Sequence, residues 1–278
     1  TPSVDPLEAD ASPAEGAYIN RCLSAAFVPG SVFKLVTSAA AIENISGLEN
    51  ETFYCEGEYK IAGVPITCMR AHGEQTFEQA LANSCNCTFA RLAVRIGQDA
   101  MVNYVREYGF LDSQSLDGIR TAKGSYPTEF VGDPEIGWSG IGQSTDLVCP
   151  YSMLRFVSAI ANGGILIEPK LINDGSTPVA ERYMEASTAA RLKQYMSYNA
   201  VTSYDSENNF PGLNICAKTG TAETGDGSSN AWFVGFLDDD EHPYAFVTMV
   251  ERGGSGLSVA GTVTNKYLQD YLKYLNGQ

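Results

Sequence analysis

Residues 31–43 read SVFKLVTSAAAIE, and no other stretch constrains the fold so tightly. The run follows Pro29-Gly30, a pair that punctuates a chain ahead of a new element. It is apolar nearly all round, which predicts a helix wrapped by other elements rather than one lying on a surface. Yet Lys34 lies inside it, the only basic residue between Arg21 and Lys60. An ammonium with few neighbours but apolar ones loses hydration, and its pKa falls. The question is what such a lysine is for.

The chain can surround a helix of this kind. At 278 residues it buries a substantial core, and 44% hydrophobic and 10% aromatic content are those of a globular protein. A net charge of −15 argues against nucleic acid or an anionic membrane surface as partner. No segment reaches the ~18 consecutive apolar residues of a membrane span. The opening TPSVDPLEADASPAEG lacks the charged head and apolar run of a signal peptide, so any export or anchoring device is expected upstream of it.

Along the chain, residues 74–97 read as two helices broken near Asn83–Cys87, and QDAMVNYVREYGF as a third, amphipathic one. CPYSMLRFVSAIANGG is helical up to a Gly-Gly stop, and STAARLKQYMSYNAV follows a linker-like loop. From Ile215 the pattern changes. NICAKTGTAE, AWFVGFL and YAFVTMVE read as strands, the last two joined by the polar turn DDDEHP. A final helix carries Val259, Val263, Tyr267, Tyr271 and Leu275 at i+4 steps, a face expected to lie on that sheet. Helices first and an antiparallel sheet last predict an α+β fold, with a mainly helical part over about 31–170 and an α/β part over about 187–278.

Seven cysteines leave at least one without an intrachain partner. Cys55 and Cys68 flank two short strands around Gly63, and a local disulfide is expected between them. Zinc held by Cys85, Cys87 and His72 competes with this, but CxC lacks the usual CxxC spacing. The cysteines are therefore read as structural, and no metal is expected.

Three short motifs carry chemistry. In SVFK, Ser31 opens the helix and Lys34 follows three residues later, so both project from one face. A desolvated lysine can take the serine's proton, and the N–H groups of the helix start can hold an oxyanion. A capping serine with a snorkelling lysine is the ordinary alternative. In NSCNC, Ser84 and Asn86 occupy the helix break, where a hydroxyl can pass a proton and an amide can hold a carbonyl and Lys34; a plain helix N-cap fits equally well locally. In AKTGTAE, Lys218, Thr219, Gly220 and Thr221 would give a strand edge a cation, hydroxyls and an open backbone along which an extended substrate could lie. An edge strand guarded by a lysine is the alternative there.

In this order the three motifs are far more specific than any one of them, since S-x-x-K, a Ser-x-Asn element and K-T-G together mark penicillin-binding proteins and serine β-lactamases. The chain resembles the transpeptidase domain of a class B-type penicillin-binding protein. The resemblance extends through TPSVDP, NRCLSAAFVPGSVFK, HGEQTFEQALANSCNCTFARLAVRIG, GIGQSTDLVCPYSMLRFVSAIANGGILIEPKL and AKTGTAE with NAWFVGFL, nearly the whole chain.

The resemblance implies an antiparallel sheet flanked by helices and joined to an all-helical subdomain. It makes Ser31 the acylated nucleophile, Lys34 the general base, Ser84 the proton shuttle and Asn86 a substrate-positioning residue. Lys218, Thr219, Gly220 and Thr221 would bind the substrate carboxylate and line the oxyanion hole. Implied too are peptidoglycan stem peptides as substrate, β-lactams as covalent inhibitors, cell-wall synthesis proteins as partners, no cofactor, and a site outside the bacterial cell membrane. In the family a membrane anchor, a pedestal domain and two sheet strands precede the segment like TPSVDP, so the sheet here is expected to lack those strands. A serine β-lactamase or D,D-carboxypeptidase would share the first step, and a β-lactam sensor or division scaffold would bind without turnover. A Ser-His-Asp triad fits poorly, with His72 and His242 the only histidines.

Overall fold

The computed structural model describes residues 16–277, so the expectation placed on TPSVDP lies outside the described residues. A 3₁₀ turn, Gly30–Phe33, runs straight into α1, Lys34–Asn44, in which every residue from Lys34 to Ala41 is buried. The central buried helix is therefore present, ringed by later elements. Strands β1 (Thr52–Cys55), β2 (Glu58–Ile61), β3 (Val64–Thr67) and β4 (Gly73–Thr76) follow, β1 pairing with β4 and β2 with β3. The helices α2 (Phe77–Ala82) and α3 (Asn86–Ile96) are broken where the sequence indicates. Thr76 caps α2 with Gln79 in a reciprocal capping box.

Next come α4 (Gln98–Glu107), the short pair β5 (Ser115–Leu116) and β6 (Ile119–Arg120), α5 (Asp133–Ser139) and α6 (Pro150–Ala161). A second short pair, β7 (Ile165–Ile167) and β8 (Ala180–Arg182), leads to the long α7 (Ala186–Tyr204) and one-turn α8 (Ser206–Asn209). The main sheet closes the chain: β9 (Ile215–Glu223), β10 (Ser229–Leu237) and β11 (Ala245–Val250), all antiparallel in the order β11-β10-β9. A π-helical segment, Gly256–Gly261, enters α9 (Thr262–Leu275). The fold is α+β as expected, and the described part of this sheet has three strands. Among the described residues no helix is long and apolar enough to cross a membrane.

One helix face differs from expectation. In α9 the buried residues are Thr264 and Leu268, with Leu272 packed beside them, whereas Val263, Tyr267 and Leu275 are exposed. The observed face lies one residue from the expected one. The cause is the π segment: i→i+5 bonding accommodates an extra residue, so an i+4 ladder begun at Val259 loses phase before α9 starts. Gly256 makes the segment fit, because a Cβ there would meet Gly220 O at 2.7 Å and Trp232 O at 2.8 Å.

Candidate active site

The edge strand β9, the 3₁₀ turn and the α2–α3 break converge on one point. Gly220 is the reason β9 can approach the turn: a Cβ there would lie 2.9 Å from Pro29 O and 3.0 Å from Val32 Cγ1. Gly30 answers from the other side at φ +55°, where a Cβ would meet Thr221 O at 2.8 Å. The Gly142-Gln143 segment braces the same turn, since Gly30 N–H donates to Gly142 O at 3.0 Å. Trp232 Nε1 adds a bond to Val28 O at 3.0 Å.

Within this frame Lys34 Nζ lies 2.7 Å from Ser31 Oγ, 2.7 Å from Asn86 Oδ1, 3.0 Å from Ser84 O and 3.2 Å from Ser84 Oγ. Asn86 is oriented from behind, its Nδ2 donating to Thr67 O at 2.8 Å, which turns its carbonyl toward the lysine. Ser84 holds the left-handed conformation, φ +51°, in the helix break, an uncommon backbone for serine that aims its hydroxyl inward. That hydroxyl also meets Lys218 Nζ at 3.1 Å, so one oxygen stands between two lysines. All three motifs, 187 positions apart from Ser31 to Lys218 (218 − 31), meet within hydrogen-bonding distance.

Both lysines are fully buried. Burial lowers Lys34 to about 8, opposed by nearby Cys85, Cys68 and Cys87. Burial also holds Lys218 well below the ordinary range, and the positive charge of Lys34 adds to the effect. Two ammonium groups sharing one hydroxyl repel each other, so the pair favours losing a proton. The arrangement therefore contains a hydroxyl, a neighbouring amine that can be neutral near physiological pH, and a second hydroxyl able to relay protons.

Thr219 and Thr221 lie on β9, whose outer edge pairs with no other strand among the described residues. Antiparallel pairing with β10 alternates, and Thr219 N–H points away from β10 to Tyr204 Oη at 2.8 Å. By the same alternation Thr221 N–H faces outward, the direction in which an extended ligand or an oxyanion would be met. Sequence reasoning missed Tyr204. Its hydroxyl is 3.0 Å from Thr219 Oγ1 and receives Asn199 Nδ2 at 2.8 Å, while that same nitrogen donates to Ala217 O at 2.8 Å. Both residues belong to α7; the stretch read as helical, STAARLKQYMSYNAV, includes Asn199 and stops short of Tyr204, and nothing in its pattern marks either.

The cysteines depart from expectation. Cys55 and Cys68 are not bonded; their sulfurs stand 3.7 Å apart. Cys68 Sγ also approaches Cys85 Sγ at 3.8 Å and Cys87 Sγ at 3.5 Å, and His72 Nδ1 is 3.4 Å from Cys55 Sγ. The ligand atoms of Cys55, Cys68, His72 and Cys85 all lie within 4.8 Å of one another. This group shares Cys85 and His72 with the set weighed from the sequence, leaves out Cys87, and draws on four separate segments.

The fold and the site together define an α+β domain in which an S-x-x-K serine and lysine meet a Ser-x-Asn element and a K-T-G strand. The profile of the penicillin binding protein transpeptidase domain matches residues 2–269, and the chain belongs to that family. It is 29% identical over 286 residues to stage V sporulation protein D of Bacillus subtilis, covering 94% of this chain and 44% of that protein. Against peptidoglycan D,D-transpeptidase PbpA of Mycobacterium tuberculosis the identity is 28% over 268 residues, covering 87% of this chain and 53% of the relative. The chain thus spans about half the length of these relatives. A structure of M. tuberculosis penicillin-binding protein A, an imipenem acyl-enzyme complex, superposes with a TM-score of 0.84 at 24% identity, over 98% of this chain and 69% of that one.

Proposed function

We propose that this chain is the catalytic domain of a peptidoglycan D,D-transpeptidase that works through an acyl-enzyme on Ser31. The observation that carries the reading is Lys34 Nζ at 2.7 Å from Ser31 Oγ, inside a buried site that lowers the lysine. A stem peptide lies along the free edge of β9 with its terminal carboxylate at Lys218, Thr219 and Thr221, and Gly220 lets it approach closely. That carboxylate stabilises an ammonium at Lys218, whose field then favours the neutral form of Lys34.

Neutral Lys34 takes the Ser31 hydroxyl proton as Oγ bonds to the carbonyl carbon between the two terminal D-alanines. The carbonyl oxygen becomes an oxyanion facing backbone N–H groups of the Ser31 turn and of Thr221. The C–N bond breaks as Ser84 Oγ, within 3.2 Å of both lysine nitrogens, relays the proton from Lys34 to the departing D-alanine amine. Asn86 holds Lys34 and the substrate amide in register. An amine from a neighbouring stem then attacks the ester, gives up its proton by the reverse route and restores Ser31. β-Lactams enter the same first step and leave a covalent adduct.

The family and the transpeptidase relatives support this reading, as does the meeting of Ser31, Lys34, Ser84 and Lys218 within hydrogen-bonding distance. In this reading the substrate lies between a mainly helical part, about 31–170, and an α/β part, about 187–278. The domain would act on the outer face of the bacterial cell membrane, anchored by an upstream segment and alongside other cell-wall synthesis proteins. A fluorescent penicillin should label the wild-type chain on the Ser31 peptide, and Ser31→Ala should abolish the label. Labelling that survives the substitution would refute the nucleophile. With a synthetic stem peptide, product that requires an amine acceptor supports transpeptidation, whereas release of free D-alanine alone would replace it with carboxypeptidation.

A further inference from the structure

We propose that Cys55, Cys68, His72 and Cys85 form a zinc site that fixes the Ser84–Asn86 loop from behind. The distances carry it. Zinc–sulfur bonds of about 2.3 Å in a tetrahedron place sulfurs about 3.8 Å apart, and a zinc–nitrogen bond near 2.0 Å places nitrogen and sulfur about 3.5 Å apart. The structure has sulfur separations of 3.7 Å and 3.8 Å and a nitrogen–sulfur separation of 3.4 Å. Three of the six edges thus already match a coordination tetrahedron, and all four atoms lie within 4.8 Å of one another. A disulfide could join only two of these sulfurs and would leave the third thiol and the imidazole against it.

The donor chemistry selects the ion. Three thiols and an imidazole without a carboxylate suit zinc and disfavour magnesium, calcium and manganese. Outer groups already point hydrogen at the sulfurs: Thr88 Oγ1 donates to Cys85 Sγ at 3.3 Å, and Cys87 N–H to Cys68 Sγ at 3.5 Å. Such donors stabilise thiolates and orient them. Loading is balanced as three thiols plus one neutral imidazole and Zn²⁺ giving a Zn(S)₃(N) centre of net charge −1, with three protons released to water.

The site has a consequence for the chemistry because of where its ligands lie in the chain. Cys85 separates Ser84 from Asn86, and Cys68 follows Thr67, whose carbonyl receives Asn86 Nδ2 at 2.8 Å. One ion would tie the end of β3 to the α2–α3 break and hold both the Ser84 hydroxyl and the Asn86 amide in place. Cys55 and His72 bring in the ends of β1 and of the loop before β4. Zinc would also keep these three clustered thiols from oxidising in an oxidising compartment.

The test uses the purified chain, prepared under reducing conditions and incubated with zinc alone. Elemental analysis should give one zinc per chain, and chelation should expose three additional reactive thiols. Cobalt in place of zinc should give thiolate-to-metal charge-transfer bands and the visible bands of a tetrahedral ion. Cys85→Ser and His72→Ala should each weaken zinc binding about 100-fold or more, beyond the ~10–100-fold typical of outer-shell changes; Cys22→Ser should leave the stoichiometry unchanged. Because a ligand variant can misfold, the cobalt spectrum of the wild-type chain decides independently. Zinc well below one per chain, or a Cys55–Cys68 or Cys68–Cys87 disulfide in freshly isolated protein, would overturn the site. Removing zinc should slow penicillin acylation about tenfold; this arm alone rests on the proposed function, and the metal readouts stand without it.

Discussion

Tyr204→Phe removes one oxygen atom from a buried position and should slow acylation without touching any of the three motifs. The phenol has two lone pairs and one proton. Thr219 N–H and Asn199 Nδ2–H occupy the lone pairs, so the proton goes to Thr219 Oγ1, 3.0 Å away. The Thr219 hydroxyl is thereby an acceptor toward Tyr204, and its own hydrogen is left to point into the cleft, ready for a carboxylate. In the variant Asn199 keeps Ala217 O, but Thr219 N–H loses its partner, at a cost of about 1–3 kcal/mol. For a chain of this size each kcal/mol lowers Tm by about 2–4 °C. The Thr219 hydrogen is also freed to turn away, and losing ~1.4 kcal/mol of carboxylate stabilisation is about tenfold in acylation rate. Stopped-time labelling with fluorescent penicillin measures the rate, and a thermal melt the stability. Thr219→Val and the double variant complete a cycle, in which strong non-additivity in the acylation rate is expected. If Tyr204→Phe lowers Tm but acylates within twofold of wild type, Tyr204 only supports the strand and the hydroxyl-orienting argument fails.

Other outcomes follow from the same geometry. With Lys34 lowered to about 8 and required neutral, acylation should rise about fivefold between pH 7 and pH 8 and level off above pH 9; a flat profile would exclude Lys34 as the base. Asp146 is fully buried, and neither carboxylate oxygen reaches a partner at hydrogen-bonding geometry among the described residues; burial raises its pKa well above the ordinary range, against a smaller lowering pull from the nearby Ser139 hydroxyl. A raised carboxyl favours the fold below the unfolded pKa of about 3.9 and loses that advantage as pH climbs through the folded value. Asp146→Asn should therefore raise Tm more at pH 7 than at pH 4; equal gains at both would refute the assignment. Gly220→Ala should drive β9 off the Ser31 turn and slow acylation at least about tenfold, and an unchanged rate would show that the turn yields freely. The penicillin adduct should persist for many minutes after excess drug is removed. No glutamate stands four residues before an asparagine, and Asn86 Oδ1 engages Lys34 at 2.7 Å; return of free Ser31 within seconds would favour a β-lactamase.

Local pattern was enough for much of the fold. The buried α1, the broken helices before and after Ser84 and the three closing strands each follow from periodicity and punctuation within a dozen residues or so. The convergence of Ser31, Lys34, Ser84, Asn86 and Lys218 was legible only because three motifs occur in one order, since nothing local tells a catalytic lysine from a snorkelling one. Tyr204 was invisible for the opposite reason. Its hydroxyl matters through Thr219, fifteen positions on, and an aromatic near the end of a helix carries no signal of what its oxygen will meet. The α9 face failed through phase: periodicity assumes uninterrupted α-helix, and one π turn rotates every later side chain.

The cysteines show where spacing rules stop being informative. CxxC marks a metal site because a single tight turn presents two sulfurs to one ion, and the rule holds when the ligands come in such pairs. Here the four donors come one at a time, from the end of β1, the residue after β3, the loop before β4 and the break before α3. Each alone looks like an ordinary cysteine or histidine, and the two with the shortest separation, Cys85 and Cys87, are not both among the four. What brings the donors together is the pairing of β1 with β4 and the packing of α3 beside β3, which is long-range information. The same packing delivers Thr67 to Asn86 and the Ser84–Asn86 loop to Lys34. A centre of this kind would sit at a structural junction that the catalytic loop already uses. Metal occupancy and loop geometry would then change together.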